Sequence, residues 1–398
     1  MRLSTIGLAC TLVVLSSASV LATSVKIGVL TDLSGSTSDM SGSGSVVAAR
    51  MAVQDFLETN QALKVEVISA DHQNKPDVAS NISRGWIGQE GVTAIVDVPS
   101  SSAALAVNEI VRSSNAVFIA ATAGTSDLTG KACTPHTIHW AIDTWALAHS
   151  TARAVVEDGG KSWFFITADY AFGHTLESEA SAVIKSLGGE VKGRVRHPFP
   201  TADLSSHLLQ AQASGAKVIG LANAGGDMIA SVRQAHEFGI TKGGHQVLAS
   251  MIGTITDVHA LGLETAQGLL VTEAFYWDLN DDTRKWSARF EKEIGRKPTM
   301  MQAGVYAGIL HYLKAVDAAK SSHAGTVVTK MKELPTEDKL FGPGKIRMDG
   351  RKIHDVYLFR VKAPARATGP WDYYEKVRTV PGEQAFRPLH DGNCPLVK

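Results

Sequence analysis

The side chains best placed to do chemistry in this sequence sit in three short hydroxyl-rich stretches: Ser34–Ser38, Ser100–Ser102 and Thr122–Ser126. Hydroxyls beside free backbone N–H groups suit the holding of an anionic or polar ligand. The first stretch lies in the glycine- and serine-rich run 33–45, which feeds a helical pattern at Ala49, Ala52, Val53, Phe56 and Leu57. An ordinary βα turn is the alternative there, and Ser100–Ser102 could simply cap the helix that follows. No phosphate loop is present: neither G-x-x-x-x-G-K-[ST] nor G-x-G-x-x-G occurs in frame, and Gly342-Pro343-Gly344-Lys345 reads as a turn. Cys133, His136 and His139 have C-x2-H-x2-H spacing, but with no fourth ligand nearby they read as structural residues, so no metal is expected. The sequence lacks a G-x-S-x-G elbow, an H-E-x-x-H helix and a close carboxylate pair with a clear acid/base assignment. Binding without turnover is the expectation, and no cofactor is implied.

The elements that must carry these loops alternate. Val25–Leu30, Leu63–Val67, Thr93–Val98 and Ala116–Ala121 read as strands, with helices at Asp77–Gly88 and Ala103–Arg112 between them. A βα rhythm of this kind predicts an α/β fold with parallel sheet and helices on both faces. Ligands in such sheets sit at the C-terminal ends of strands, where all three hydroxylic loops fall. A second run follows Asp143: helix Trp145–Glu157, strand Trp163–Thr167, loop Ala168–His174, helix Leu176–Leu187 and strand Glu190–Val195. It continues with helix Leu204–Ala213, strand Lys217–Leu221, helix Met228–Phe238 and strand Val247–Ala249. After Leu269–Thr272 come helices Thr283–Ile294 and Met301–Ala318, then an apparent hairpin over Lys345–Val361 turning at Asp349-Gly350. Two similar lobes are expected.

Bulk properties narrow the classes. The 398 residues carry 39 Lys+Arg and 39 Asp+Glu, so charge points to neither nucleic acid nor an anionic membrane surface. Residues 1–22 read as a secretory signal peptide: Arg2, an apolar run, and small residues before Thr23. Cys10 lies inside that run, which argues against lipidation. Cys133 and Cys394 then remain, an even pair in an exported protein. They are expected as a disulfide, with two buried free thiols as the alternative.

VKIGVLTDLSG at Val25, TSDLTG at Thr125, DYAFGHTL at Asp169, ANAGGDMIASVRQAHEFGI at Ala222 and GLLVTEAFYW at Gly268 together resemble the periplasmic branched-chain amino-acid-binding proteins. The resemblance runs from about Ser24 to Cys394. It implies a type I periplasmic binding protein fold, two Rossmann-like lobes joined by three hinge crossings near Asp143, Thr272 and Asp349. It divides the chain into a first lobe, 24–142 plus 273–348, and a second, 143–272 plus 349–398. It also implies a monomeric periplasmic protein that passes a small carboxylate ligand to the membrane permease of an ABC importer. Ligand contacts implied by position are Ser100, Ser101, Thr122, Gly124, Asp143, Phe172, Asn223 and Ala224.

Two positions depart from the family pattern. Met251 stands where the family places the glutamate that fixes a ligand ammonium, and Met40 where it places an aromatic cap. A thioether removes the counter-charge for a buried ammonium, and an unpaired buried charge costs several kcal/mol. Glu273, Asp143 or Asp227 could substitute. With Trp140, Trp145, Phe172 and Phe275-Tyr276-Trp277, the departure points to an aromatic acid, the alternative being a branched-chain or other hydrophobic amino acid. An exported sensory domain and a hydrolase on the same fold are the remaining alternatives.

Overall fold

The computed structural model describes residues 23–398; the leader expected at 1–22 lies outside them. The chain opens β1 (Thr23–Thr31), α1 (Gly42–Thr59), β2 (Leu63–Asp71), α2 (Pro76–Gly88), β3 (Ala94–Asp97), α3 (Ser101–Arg112), β4 (Val117–Ala120) and β5 (Thr137–His139). These strands form one parallel sheet in the order β2-β1-β3-β4-β5. Ile27 faces Val67 on one side and Ala94 on the other, so the apolar β1 is an interior strand of the layer. The strand order reverses between β1 and β3, which makes the loops after them the crevice of this lobe.

The second lobe follows α4 (Thr144–Leu147), a π-turn at Ala148–Ala152 and α5 (Arg153–Glu157). Then come β6 (Ser162–Ala168), α6 (Ala171–Ser186), β7 (Glu190–His197), α7 (Ser205–Ala213), β8 (Val218–Ala222), α8 (Gly226–Glu237), β9 (Val247–Ser250), α9 (Ile255–Leu261) and α10 (Leu263–Ala266). Its parallel sheet runs β7-β6-β8-β9, with the reversal between β6 and β8. The helix α6 begins five residues before its expected start. Gly173 reads as a loop residue in the sequence, but it sits where a Cβ would overlap the Ala168 carbonyl and approach Ala222 O at 3.0 Å. It lets the first turn of the helix pack tightly on the strand ends.

β10 (Leu270–Glu273) leads back to the first lobe through α11 (Asp281–Ile294), α12 (Met300–Ala319) and α13 (Ala324–Glu333). The helix α12 packs on α1. The expected hairpin is shorter than the pattern suggested. β11 (Lys345–Ile346) and β12 (Lys352–Ile353) pair across the Asp349-Gly350 turn, while β13 (Val356–Val361) leaves for the second lobe. There it pairs antiparallel with β10 and with β14 (Tyr374–Val380), a strand the sequence did not reveal. Tyr276 and Trp277 support this small sheet, Tyr276 Oη and Trp277 Nε1 both donating to Trp371 O at 3.1 and 2.9 Å.

Residues after Val380, expected with the second lobe, lie instead against the first. Here α14 (Gly382–Ala385) meets His354, and Cys394 is disulfide-bonded to Cys133 with Cα atoms 5.6 Å apart and a sequence separation of 261. Closing so long a loop restricts the unfolded chain by roughly 5 kcal/mol in chain-entropy terms. No described helix is long and apolar enough to cross a membrane.

Candidate functional site

Asp32 directly follows β1 and organises the first loop. Its carboxylate accepts from the Gly35 amide (2.8 Å), the Thr37 amide and hydroxyl (3.0 and 2.7 Å) and Asn74 Nδ2 (2.6 Å). Four donors fix the stretch 33–38 as a shaped rim. At the end of β3, Asp97 and the β-branched Val98 both take left-handed backbone, φ +87° and +60°. Such conformations cost on the order of 1–3 kcal/mol each and concentrate at functional sites. The bend delivers Ser100 as N-cap and Ser101 and Ser102 as the first turn of α3, whose leading amides have no partner within the helix.

The third loop is fastened to the second. Thr122 donates its hydroxyl to Asp97, a fully buried carboxyl that burial pushes up to about 6 against that hydrogen bond. Ser101 Oγ accepts from the Thr125 amide at 3.1 Å, and the Gly124 carbonyl accepts from Thr144 N at 2.8 Å. The second and third hydroxylic stretches are thus joined by hydrogen bonds at the C-terminal ends of β3 and β4.

Residues of the second lobe approach these loops. Phe172, in the first turn of α6, lies so close to Gly124 that a Cβ there would stand 2.6 Å from the ring. Met40, Phe172, Ala224 and Met251 are all buried in one continuous apolar cluster that contains residues of both lobes. Met251 follows β9 and is fully buried, while the Met40 carbonyl accepts the Thr299 hydroxyl at 2.7 Å. Asn223 ends β8; its Nδ2 donates to Ser231 Oγ at 3.0 Å, while Oδ1 is buried without a partner among the described residues. The lobes also touch at the rim: the Ser36 carbonyl accepts from the Gly226 amide at 3.1 Å. Gly225 makes this approach with φ +58°, and a Cβ there would overlap the Ser36 carbonyl.

Asp143, for which the resemblance implies a ligand contact, stands at the first crossing. Its Oδ1 caps α4 through the Ala146 amide at 2.9 Å, and its Oδ2 lies 3.4 Å from the fully buried Arg351 guanidinium. Arg351 Nη2 also donates to the Trp140 and Ala141 carbonyls, both at 2.7 Å. The carboxylate therefore serves the α4 cap through Oδ1 and faces the Arg351 charge through Oδ2. The sequence carried no signal for this pair, because the partners are far apart along the chain. Phe275 packs edge-on against Trp286, ring centroids 5.7 Å apart. The zinc-like spacing is dispersed: Cys133 is bonded to Cys394, His136 Nδ1 meets Val111 O at 3.0 Å, and His139 Nε2 meets Ala123 O at 2.6 Å. No group of three metal-ligating side chains occurs among the described residues.

Two parallel-sheet lobes, with loops from both switch points facing one cleft, are the architecture of proteins that close on a solute. The family model described as periplasmic binding protein matches residues 24–369. The chain belongs to the periplasmic binding protein family. It is a solute-binding protein of the ABC-transporter type and not an enzyme, and the family implies an extracytoplasmic location. A periplasmic binding protein from Burkholderia mallei is 46% identical, with 95% of this chain and 100% of that one covered and a TM-score of 0.92. A branched-chain amino acid ABC transporter periplasmic ligand-binding protein from Burkholderia xenovorans is 37% identical, covering 94% and 100%, TM-score 0.83. A Leu/Ile/Val-binding protein homolog from Brucella melitensis is 26% identical over 327 residues, 79% of this chain and 81% of its own length.

Three other carboxyls near the second-lobe loops and hinge are held away from their ordinary range. Burial pushes Asp227 up to about 7, with the Thr201 amide opposing, and pushes Glu179 up to about 7 against the Ser126 hydroxyl. Glu273 is raised well above its usual value by complete burial; the Tyr374 hydroxyl donates to Oε1 at 3.2 Å, and Oε2 has no partner among the described residues.

Proposed function

We propose that this periplasmic binding protein captures a small organic carboxylate with an apolar, aromatic body. The ligand carboxylate would meet the leading amides and hydroxyls of α3 (Ser100, Ser101) and the Thr122–Gly124 loop. Its body would lie against Phe172, Met40, Met251 and Ala224. The observation that carries this reading is the commitment of Asp143 to Arg351 and to the α4 cap, in a cleft where Met251 supplies no charge. A ligand ammonium would then lack a free ionised counter-charge, which is costly in a buried site. Ligand bridging the lobes stabilises the closed arrangement by its differential contacts. Delivery to a membrane permease as a monomer, after removal of residues 1–22, completes the reading. The lobe division we propose is 24–142, 273–355 and 381–398 against 143–272 and 356–380, following the strand pairing and the tail's disulfide.

A second reading, a branched-chain or other hydrophobic amino acid, is favoured by two buried carboxyl oxygens without a hydrogen bond among the described residues: Oε2 of Glu273 and Oδ2 of Asp227, the latter 3.5 Å from His197 Nδ1. Ionisation of either on binding would supply the missing charge. A thermal-shift panel on refolded, ligand-stripped protein separates the two: Leu, Ile, Val and Phe against benzoate, phenylacetate, phenylpyruvate and coumarate. Stabilisation by the ammonium-free acids alone is expected. Stabilisation by aliphatic amino acids alone would sink the aromatic-acid reading.

A further inference from the structure

The C-terminal tail returns to the first lobe and places one guanidinium between the two lobes. Arg387 donates from Nη2 to the Ser126 carbonyl at 2.9 Å and from Nη1 to the Ser126 hydroxyl at 3.4 Å. That hydroxyl in turn donates to Glu179 Oε1, on α6 of the second lobe, at 2.5 Å. The guanidinium stands 3.8 Å from the same carboxylate and 5.7 Å over the Trp145 ring, just past the first crossing. A second cross-lobe contact accompanies it, Thr125 Oγ1 to Thr175 Oγ1 at 3.3 Å.

The tail's own course is fixed on both sides of Arg387. Its carbonyl accepts from Arg347 Nη1 at 2.7 Å. Gly130 lies so close beneath that a Cβ there would overlap the Arg387 guanidinium and stand 2.8 Å from Gly392 O. Seven residues further on, Cys394 is covalently joined to Cys133 at the end of the same loop. A bridge that near confines Arg387 to a small volume, so its docking is intramolecular with a high effective concentration. Arginine suits the position because its planar fork can serve a carbonyl and a carboxylate at once, which a lysine point charge cannot.

We infer that Arg387, kept in place by the Cys133–Cys394 bridge, is a positioning residue that holds the Thr122–Ser126 loop and couples it to α6 of the second lobe. Its importance for ligand rests on the reading of Thr122–Gly124 given above. The coupling between loop and helix does not, and is measurable without ligand.

Amide hydrogen exchange on the ligand-free mature protein tests it. In Arg387→Ala, peptides spanning 122–132 and 171–182 should both exchange about tenfold faster, as local opening of two linked segments requires. Arg387→Lys should give a smaller effect on both. The double variant Cys133→Ser with Cys394→Ser should reproduce the Arg387→Ala pattern, and Arg387→Lys decides the matter if Arg387→Ala fails to fold. Acceleration confined to 381–398 in these variants would overturn the inference, since the tail would then be a passive appendage. A thermal-shift panel without a binder would count against the ligand reading and leave this result standing.

Discussion

At the cleft rim the lobes meet through backbone, whereas near the hinge they meet through side chains. The rim contact is the Ser36 carbonyl on the Gly226 amide, possible because Gly225 has left-handed backbone and no Cβ. Hinge-side contacts are Ser126 with Glu179 and Arg387, and deeper in the crossing Arg351 with Asp143 and the carbonyls of Trp140 and Ala141. A backbone contact is all or none with respect to an added carbon, because the obstacle is main chain that cannot rotate aside. A side-chain network yields by degrees, and its buried charges tie it to overall stability as well as to closure. On the proposed reading, in which the lobes close on a ligand, the rim contact bears chiefly on closure and the hinge network chiefly on stability.

Arg351→Met should have the largest effect. It leaves the buried Asp143 carboxylate without its cation, a change worth about 3–5 kcal/mol. Chemical denaturation should show that loss; an unchanged midpoint would mean that the α4 cap alone satisfies Asp143. Gly225→Val comes next, adding steric overlap with Ser36 and a β-branched residue at φ +58°. Affinity for whichever panel compound binds, by calorimetry, should fall about a hundredfold, equivalent to about 2.7 kcal/mol. Unaltered affinity would remove the rim contact from the closing mechanism.

Gly124→Ala sharpens the contrast, because its obstacle is a ring rather than main chain. The Cβ would sit 2.6 Å from Phe172, and Phe172 can shift. Affinity should drop about tenfold, or about 1.4 kcal/mol. If steric overlap is the cause, adding Phe172→Ala should cost less than it does in the wild-type background, a coupling that a double-mutant cycle measures. Additive losses would place the effect elsewhere.

The smallest expected effect is pH-dependent. Asp227 is pushed up to about 7 by burial, above its ordinary 3.8, so the folded protein holds a proton there that the unfolded chain releases between those values. This group's contribution to stability is therefore lost as pH rises through that window. Asp227→Asn keeps an acceptor for the Thr201 amide without the charge. The melting temperature of the variant relative to wild type should rise from pH 5 to pH 8, and a difference that does not vary with pH would show Asp227 titrating normally.

The sequence disclosed the repeating units and the loops. Val25–Leu30 and Lys217–Leu221 are apolar runs bounded by turns, and the serines and threonines at their neighbours' C-terminal ends mark the crevice. It also disclosed the departure at Met251, since a missing carboxylate is a matter of residue type. Short elements escaped it. β5 has three residues, and β14 mixes charged and apolar positions because one side is exposed, so neither carries a periodic signal. Ile353 to Phe359 looked like one strand because alternation cannot tell which sheet a residue will join. The chain in fact changes lobe at His354 and Asp355, where His354 Nε2 meets the Ala141 carbonyl at 2.6 Å.

The sequence by itself determined two parallel α/β layers, a hydroxyl-lined crevice and a chemistry of binding rather than turnover, because these follow from local pattern and residue type. Tertiary structure alone decided that Asp143 is spent on Arg351, that Gly225 admits the Ser36 carbonyl, and that Arg387 reaches Ser126 and Glu179. In each case the partners are far apart in the chain, so local pattern says nothing of their meeting. Local sequence fixes the face a residue presents; what it meets there is set by packing of distant segments.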